Sequence, residues 1–296
     1  MAEHHDLGGR TVFITGAARG IGLDTARRVV AKGARVALVG LEPESLERHA
    51  AAFGPSRAAW FEADVTDRSA VEAAVDGTLE RFGSIDVVIA NAGVAPPPVT
   101  ALAVADQDFQ HVLDVNIGGV WNTVKTTLPH VVASRGYVLV VASIYAAVNG
   151  VLAAPYAMSK AAVEQLGRAL RAELQPHGAS AGTAYFGFID TDMVRESFEQ
   201  PVFSELRRAQ PEFVTRPIPV GRAGAAITRG IERRQARIVA PGWVRLLLAT
   251  RGLTQLLDDA LSAGAPTRSA IALAEHEPEQ VSANGVAASR NGHAPD

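Results

Sequence analysis

Residues 11–33 read TVFITGAARGIGLDTARRVVAKG, and this stretch decides the fold. Its first five residues are β-branched or aromatic and predict a buried strand. GAARGIG follows, with Gly16, Gly20 and Gly22, and then LDTARRVVAKG reads as a helix stopped by Gly33. A glycine turn between strand and helix lets the backbone approach a phosphate closely, while the free N–H groups and the positive end of the helix dipole attract its charge. Glycine can serve turn geometry alone. Three glycines opening a strand-first unit point instead to a bound nucleotide.

Working outward, RVALVG at 35–40 is a second strand. The residue at its end lies near the adenine ribose, where an acid selects NAD and a base accepts a 2′-phosphate. Here it is Gly40, followed by Leu41 and Glu42. Arg19 in the glycine loop would attract the extra phosphate and Glu42 would repel it, so NAD and NADP both stay open. The alternation then repeats, with a helix at 43–53, a strand at 58–64, a helix at 67–82 and a fourth strand, IDVVIANAG. Strands alternating with helices predict a parallel sheet covered on both faces. Asp64-Val65 and Asn91-Ala92-Gly93 fall at the carboxyl edge, where ligands bind such sheets, although either could simply make a turn.

VAPPPVT at 94–100 is a stiff loop, and a long helix is expected over 106–133. Asn116 and Gly118-Gly119 are odd inside it, and they predict a kink, close helix packing or a polar site. GYVLVVAS, SAGTAY at 180–185 and RIVAP at 237–241 supply three more strands. Between them, residues 195–220 are rich in proline and arginine and read as an irregular, mobile loop over a site.

SIYAAVNGVLAAPYAMSK, residues 143–160, lies inside a run from Gly136 to Ser159 without a charged side chain. Asn149-Gly150 and Pro155 break that run into strand, turn and helix start, which excludes a membrane span. If Pro155 opens a helix, Tyr156 and Lys160 share a face at i and i+4. A neighbouring ammonium favours the phenolate and lowers the phenol pKa, as a proton-transfer tyrosine requires. Val163, Leu166, Leu170 and Leu174 continue the helix, with Glu164 and Arg168 paired on its outside.

The 296 residues carry a net charge of −3 without a basic stripe, which argues against a nucleic-acid partner. The absence of cysteine excludes disulfides, thiolate nucleophiles and zinc-thiolate sites. The histidines are scattered, so no metal is expected. MAEHHDLGGR lacks the apolar core of a secretion signal, and the cytoplasm is the expected compartment. WVRLLLATRGLTQLL, from 243, is an amphipathic helix too short in its uncharged run to cross a membrane. From 274 onward the chain contains no Leu, Ile or aromatic residue, and a disordered tail is expected there.

Together these motifs resemble the short-chain dehydrogenase/reductase family, in its compact single-domain branch, over roughly residues 9–242. TGAARGIG is similar to the family's dinucleotide loop, Asn91-Ala92-Gly93 to its sheet-stabilising motif, and Asn116, Ser143, Tyr156 and Lys160 to its catalytic tetrad. The resemblance implies an α/β, three-layer, doubly wound Rossmann fold with a seven-stranded, mainly parallel sheet over 1–242. A helical extension would follow over 243–273 and the tail over 274–296.

The implied activity is hydride transfer between NAD or NADP and a secondary alcohol or ketone, on an uncharged apolar substrate. Tyr156 would exchange the proton, Ser143 would bind the substrate oxygen, Lys160 would hold the nicotinamide ribose, and Asn116 would hold a relay water. Gly16, Arg19, Gly20, Ile21, Gly22, Gly40, Asp64, Val65, Asn91, Ala92, Gly93, Tyr156, Lys160, Gly187, Ile189 and Thr191 would line the cofactor. Ile144, Tyr145, Val148, Leu152, Phe186, Phe188 and Met193 would wall the substrate pocket. Phe186-Gly187 stands where the family commonly has Pro-Gly. A homodimer or homotetramer is implied, paired through the helices at 106–133 and 155–176. The alternative is a catalytically silent dinucleotide-binding regulator of the same fold. An epimerase or dehydratase would need more chain after 242 for a substrate domain.

Overall fold

The structure, a computed structural model, describes residues 5–208, 210–254, 256, 258 and 263–276. Seven strands form one sheet: β1 (Thr11–Thr15), β2 (Arg35–Gly40), β3 (Ala58–Glu62), β4 (Val87–Ala90), β5 (Tyr137–Val141), β6 (Ser180–Phe186) and β7 (Arg237–Ala240). Their order is β3-β2-β1-β4-β5-β6-β7 and every neighbouring pair is parallel. In register, Val12 sits between Val36 and Val87, and Val138 between Val88 and Ala181. Strand order reverses between β1 and β4, which opens a crevice at their carboxyl ends.

Side chains alternate along each strand, and this sorts the apolar residues into two cores. Val12, Ile14, Leu38, Ile89, Leu139 and Phe186 face one side, with α1 (Gly20–Ala31), α2 (Pro43–Phe53) and α10 (Val220–Glu232) over them. Phe13, Val39, Val88, Val138, Val140 and Tyr185 face the other, under α3 (Arg68–Phe82), α5 (Val120–Ala133) and α6 (Ala154–Glu173). With both faces covered, the strands read as unbroken apolar runs. The fold is the doubly wound Rossmann architecture.

Four expectations change. The helix expected over 106–133 divides into α4 (Asp106–Leu113), a π-helical turn at Asp114–Gly119, and α5. Such turns arise where a helix is interrupted for function or close packing. The described residues of 195–220 are largely helical rather than irregular: α7 (Asp192–Glu199), α8 (Pro201–Arg208) and α9 (Glu212–Thr215) lie there. Glu164 is buried rather than outside, because Arg251 of α11 (Val244–Thr254) reaches in to bond it at 2.7 Å, while Arg168 stays 3.9 Å away. The last helix, α12, spans Ala265–His276, so helix carries past 274. The rest of the expected tail lies outside the described residues. Among the described residues no helix is long and apolar enough to cross a membrane.

Candidate active site

The glycine loop between β1 and α1 is built by close approaches. Gly16 has φ +65°, and a Cβ there would sit 2.9 Å from the Ala92 Cα. The Asn91 Nδ2 donates to the carbonyls of Thr15 and Gly16, each at 3.0 Å, so the 91–93 motif props the loop from across the switch point. No side chain caps α1. Its first-turn N–H groups therefore stay open, as an incoming phosphate requires. Gly20 has φ +57° and faces the methyl of Thr191, which brings the end of β6 beside the loop. Thr191 itself caps α7, accepting from the Val194 N–H at 3.4 Å. Ile189, beside it, is buried in the core and bridged to Ile218.

At the end of β2 the carboxylate of Glu42 turns back over Gly40. Its Oε2 lies 3.5 Å from where a Gly40 Cβ would be, and its Oε1 accepts from the Arg19 Nε at 3.2 Å. Arg19 also faces Asp192 at 3.6 Å. On the opposite wall Asp64 caps its own turn through Thr66, and the Val65 carbonyl accepts from the Asn122 Nδ2 at 2.9 Å. Gly119, in the π-helical turn, is packed so tightly on Val65 that a Cβ would meet it at 2.4 Å. Asn122 was not found from sequence; its spacing of six from Asn116 carries no signal until the π turn is known.

Asn116 is fully buried. Its Oδ1 accepts from the Val94 N–H at 2.8 Å, and its Nδ2 donates to the Val94 carbonyl at 2.9 Å and the Ser159 Oγ at 3.0 Å. The side chain thus clamps the start of the 94–100 loop to α6. A Cβ on Gly93 would stand 3.0 Å from the Asn116 Oδ1 and 3.2 Å from the Lys160 Nζ, so only glycine lets these two groups converge.

α6 opens as expected, with Pro155 in its first turn. Lys160 donates to the Val141 carbonyl at 3.1 Å and lies 5.4 Å from the centre of the Tyr156 ring. Tyr145 packs edge-on to Tyr156 at 5.7 Å, and the Ser143 hydroxyl, just past the end of β5, lies near the Tyr156 phenol. Burial raises the Tyr156 pKa, against a smaller lowering by Ser143. This reverses the lowering expected from Lys160: desolvation also pushes the ammonium down, to about 8, and weakens its claim on the phenol.

That depression sets a sign. Between about pH 8 and 10.5 an unfolded lysine holds a proton that folded Lys160 has released, so stability rises with pH through this window. Lys160→Met should abolish the gain, measured as the change in urea-unfolding free energy from pH 7 to 9.5. A rise equal to that of the unsubstituted chain would place the Lys160 pKa near its ordinary value.

Ser143 and Tyr156 open into an apolar-lined cavity. Ile144, Tyr145, Leu152, Phe188 and Met193 line it as expected, but Val148 and Phe186 do not. Phe186 points into the core beneath the sheet, two residues on from Ala184 on the same face. The far side comes from Phe198, Phe203 and Leu206 of α7 and α8, which sequence reading assigned to a loop. Phe188, Phe198 and Phe203 form a cluster with ring centres 5.1–5.7 Å apart. The i, i+4 pairs Val194/Phe198 and Val202/Leu206 were the available signal.

A family model described as short chain dehydrogenase matches residues 10–202. The 11-beta-hydroxysteroid dehydrogenase-like 2 protein of Arabidopsis thaliana is 30% identical over 256 residues, 86% of this chain and 80% of its own. The (-)-trans-carveol dehydrogenase of Rhodococcus erythropolis is 30% identical over 213 residues, 66% of this chain and 76% of its own. Among solved structures, 3-ketoacyl-(acyl-carrier-protein) reductase from Brucella melitensis, complexed with NADH, superposes with a TM-score of 0.70 at 25% identity, over 79% of this chain and 97% of that one. The open α1 terminus, the glycine cradle and the Ser143–Tyr156–Lys160 cluster fit a nicotinamide dinucleotide, and with these matches the chain belongs to the short-chain dehydrogenase/reductase family, oxidoreductases acting on CH–OH groups.

Proposed function

We propose that the protein is an NAD-dependent oxidoreductase that interconverts a secondary alcohol and its ketone on an uncharged, largely apolar substrate of moderate bulk. The cavity carries this reading: no lining residue is charged, and Ser143 and Tyr156 supply its polar corner. Relatives named for a hydroxysteroid and for carveol support the same class.

Gly93 and Lys160 would help to hold the nicotinamide, which would supply or take the hydride. In reduction, Ser143 donates a hydrogen bond to the ketone oxygen and Tyr156 transfers its phenolic proton to that oxygen as the hydride reaches the carbon. The raised Tyr156 pKa keeps the phenol protonated at neutral pH, which suits the acid role. As the proton leaves, Lys160 stabilises the phenolate, and Asn116 keeps Gly93 and Ser159 in register around the ammonium. Oxidation of the alcohol runs the same transfers backward.

Glu42 supports NAD over NADP. Its carboxylate occupies the space beside Gly40 that a 2′-phosphate would enter, and it already pairs with Arg19, the one cation of the loop. The test is steady-state turnover of carveol and carvone with NAD(H) and NADP(H), and of Glu42→Gln beside the unsubstituted chain. NAD(H) should be preferred, and Glu42→Gln should raise relative NADP(H) efficiency about tenfold by removing a partly screened like-charge contact. Turnover confined to polyhydroxylated or ionic alcohols would overturn the substrate reading, and an unsubstituted preference for NADP(H) the cofactor reading.

A further inference from the structure

Residues beyond 202 lie outside the family match, yet α12 reaches the cavity wall. Leu152 and Leu206 each line the cavity. The same two side chains belong to a separate apolar cluster with Val202, Ala270 and Ala274, both alanines fully buried. Ala270 and Ala274 are one helical turn apart, so they present a flat strip on which α8 seats closely. α12 thus stands one side chain behind the cavity.

The loop that carries Leu152 is tied at other points. Leu152 has φ +60°, a left-handed backbone costly for leucine. Its carbonyl accepts from the Val99 N–H at 3.0 Å, and Asn149 donates to Asp258 at 3.2 Å. A strained residue persists where its surroundings over-determine it. Here those surroundings are the 94–100 loop, α8 and α12.

We infer that α12 is a specificity element, and that Ala270 and Ala274 are positioning residues that set cavity depth through Leu206 and Leu152. The inference rests on the proposed ketone-binding role of the cavity. Larger side chains at 270 or 274 drive the two leucines toward substrate. A charged one undocks α12 and loosens α7–α8.

The full chain carrying Ala270→Leu or Ala274→Leu should be assayed with NADH on cyclohexanone and on the larger 2-decalone. Efficiency with 2-decalone should fall about tenfold relative to cyclohexanone, through KM, with the cyclohexanone kcat and NADH affinity within about twofold. Ala274→Asp should raise hydrogen exchange at 192–208 by about tenfold or more while the strand amides keep their protection. An unchanged ketone ratio in both leucine variants overturns the specificity role. Unchanged exchange in Ala274→Asp overturns the docking itself. If the unsubstituted chain turns over neither ketone, the proposed function fails, while the exchange result still decides whether α12 holds the cavity wall.

Discussion

Tyr156→Phe is expected to lower the rate of hydride transfer to a turned-over ketone by roughly a hundred- to ten-thousand-fold, the usual worth of a positioned proton donor. The substitution removes one oxygen and little else. Phenylalanine fills nearly the same volume, so the edge-on contact with Tyr145 at 5.7 Å and the Lys160 ammonium 5.4 Å from the ring centre both have a ring to meet. Ser143 loses its phenol neighbour but keeps the Tyr145 N–H, 3.3 Å from its Oγ. NADH affinity should therefore stay within about twofold, because a loss confined to the transition state lowers kcat without weakening ground-state binding. Stopped-flow single turnovers with saturating NADH separate the two effects. More than a few per cent of the original rate would remove Tyr156 from the proton transfer and leave Ser143 or a solvent molecule as the donor.

Much of this site was readable because its geometry is local. GAARGIG spans one turn, and Tyr156 and Lys160 stand on one helix face, so residue type and spacing specify them before any tertiary contact forms. The strands were equally plain, since burial on both faces removes polar residues from them altogether. What escaped depends on distant partners. Glu164 and Arg168 match a surface i, i+4 pair, and only the docking of α11 makes Glu164 a buried acid held by Arg251. Asn116 looks like a free polar group until the loop at Val94 folds onto it. Glu42 lies two residues past the strand end, and its return over Gly40 is a rotamer choice that strand register does not encode. α12 shows the strip of Ala270 and Ala274, whose small side chains give little hydrophobic signal although both are fully buried. Short helices such as α7 and α8, each of eight residues, form through packing rather than propensity, so proline and arginine between them read as loop.

The other large effect is expected at Gly22, through the dinucleotide rather than the chemistry. A methyl on Gly22 would lie 2.2 Å from the Gly16 carbonyl oxygen and 2.9 Å from the Asn91 Nδ2. Neither neighbour gives way easily: Gly16 is held at φ +65° against Ala92, and its oxygen accepts the Asn91 bond at 3.0 Å. To admit the methyl, α1 must move off the loop or the Asn91 brace must open, and both disturb the N–H groups that would face the pyrophosphate. Gly22→Ala should thus weaken NADH binding by about tenfold or more and cost about 1–3 kcal/mol of stability, the range for overpacking a rigid site. Gly118→Ala makes the fitting comparison, because nothing lies within 4 Å of the added methyl and alanine is favoured over glycine in a helix by up to about 1 kcal/mol. NADH fluorescence titration and urea unfolding of the two variants distinguish contact from composition. Equal NADH affinity in both would mean that the loop relaxes around the Gly22 methyl, and the close approach of Gly22 to Gly16 would then be incidental to cofactor binding.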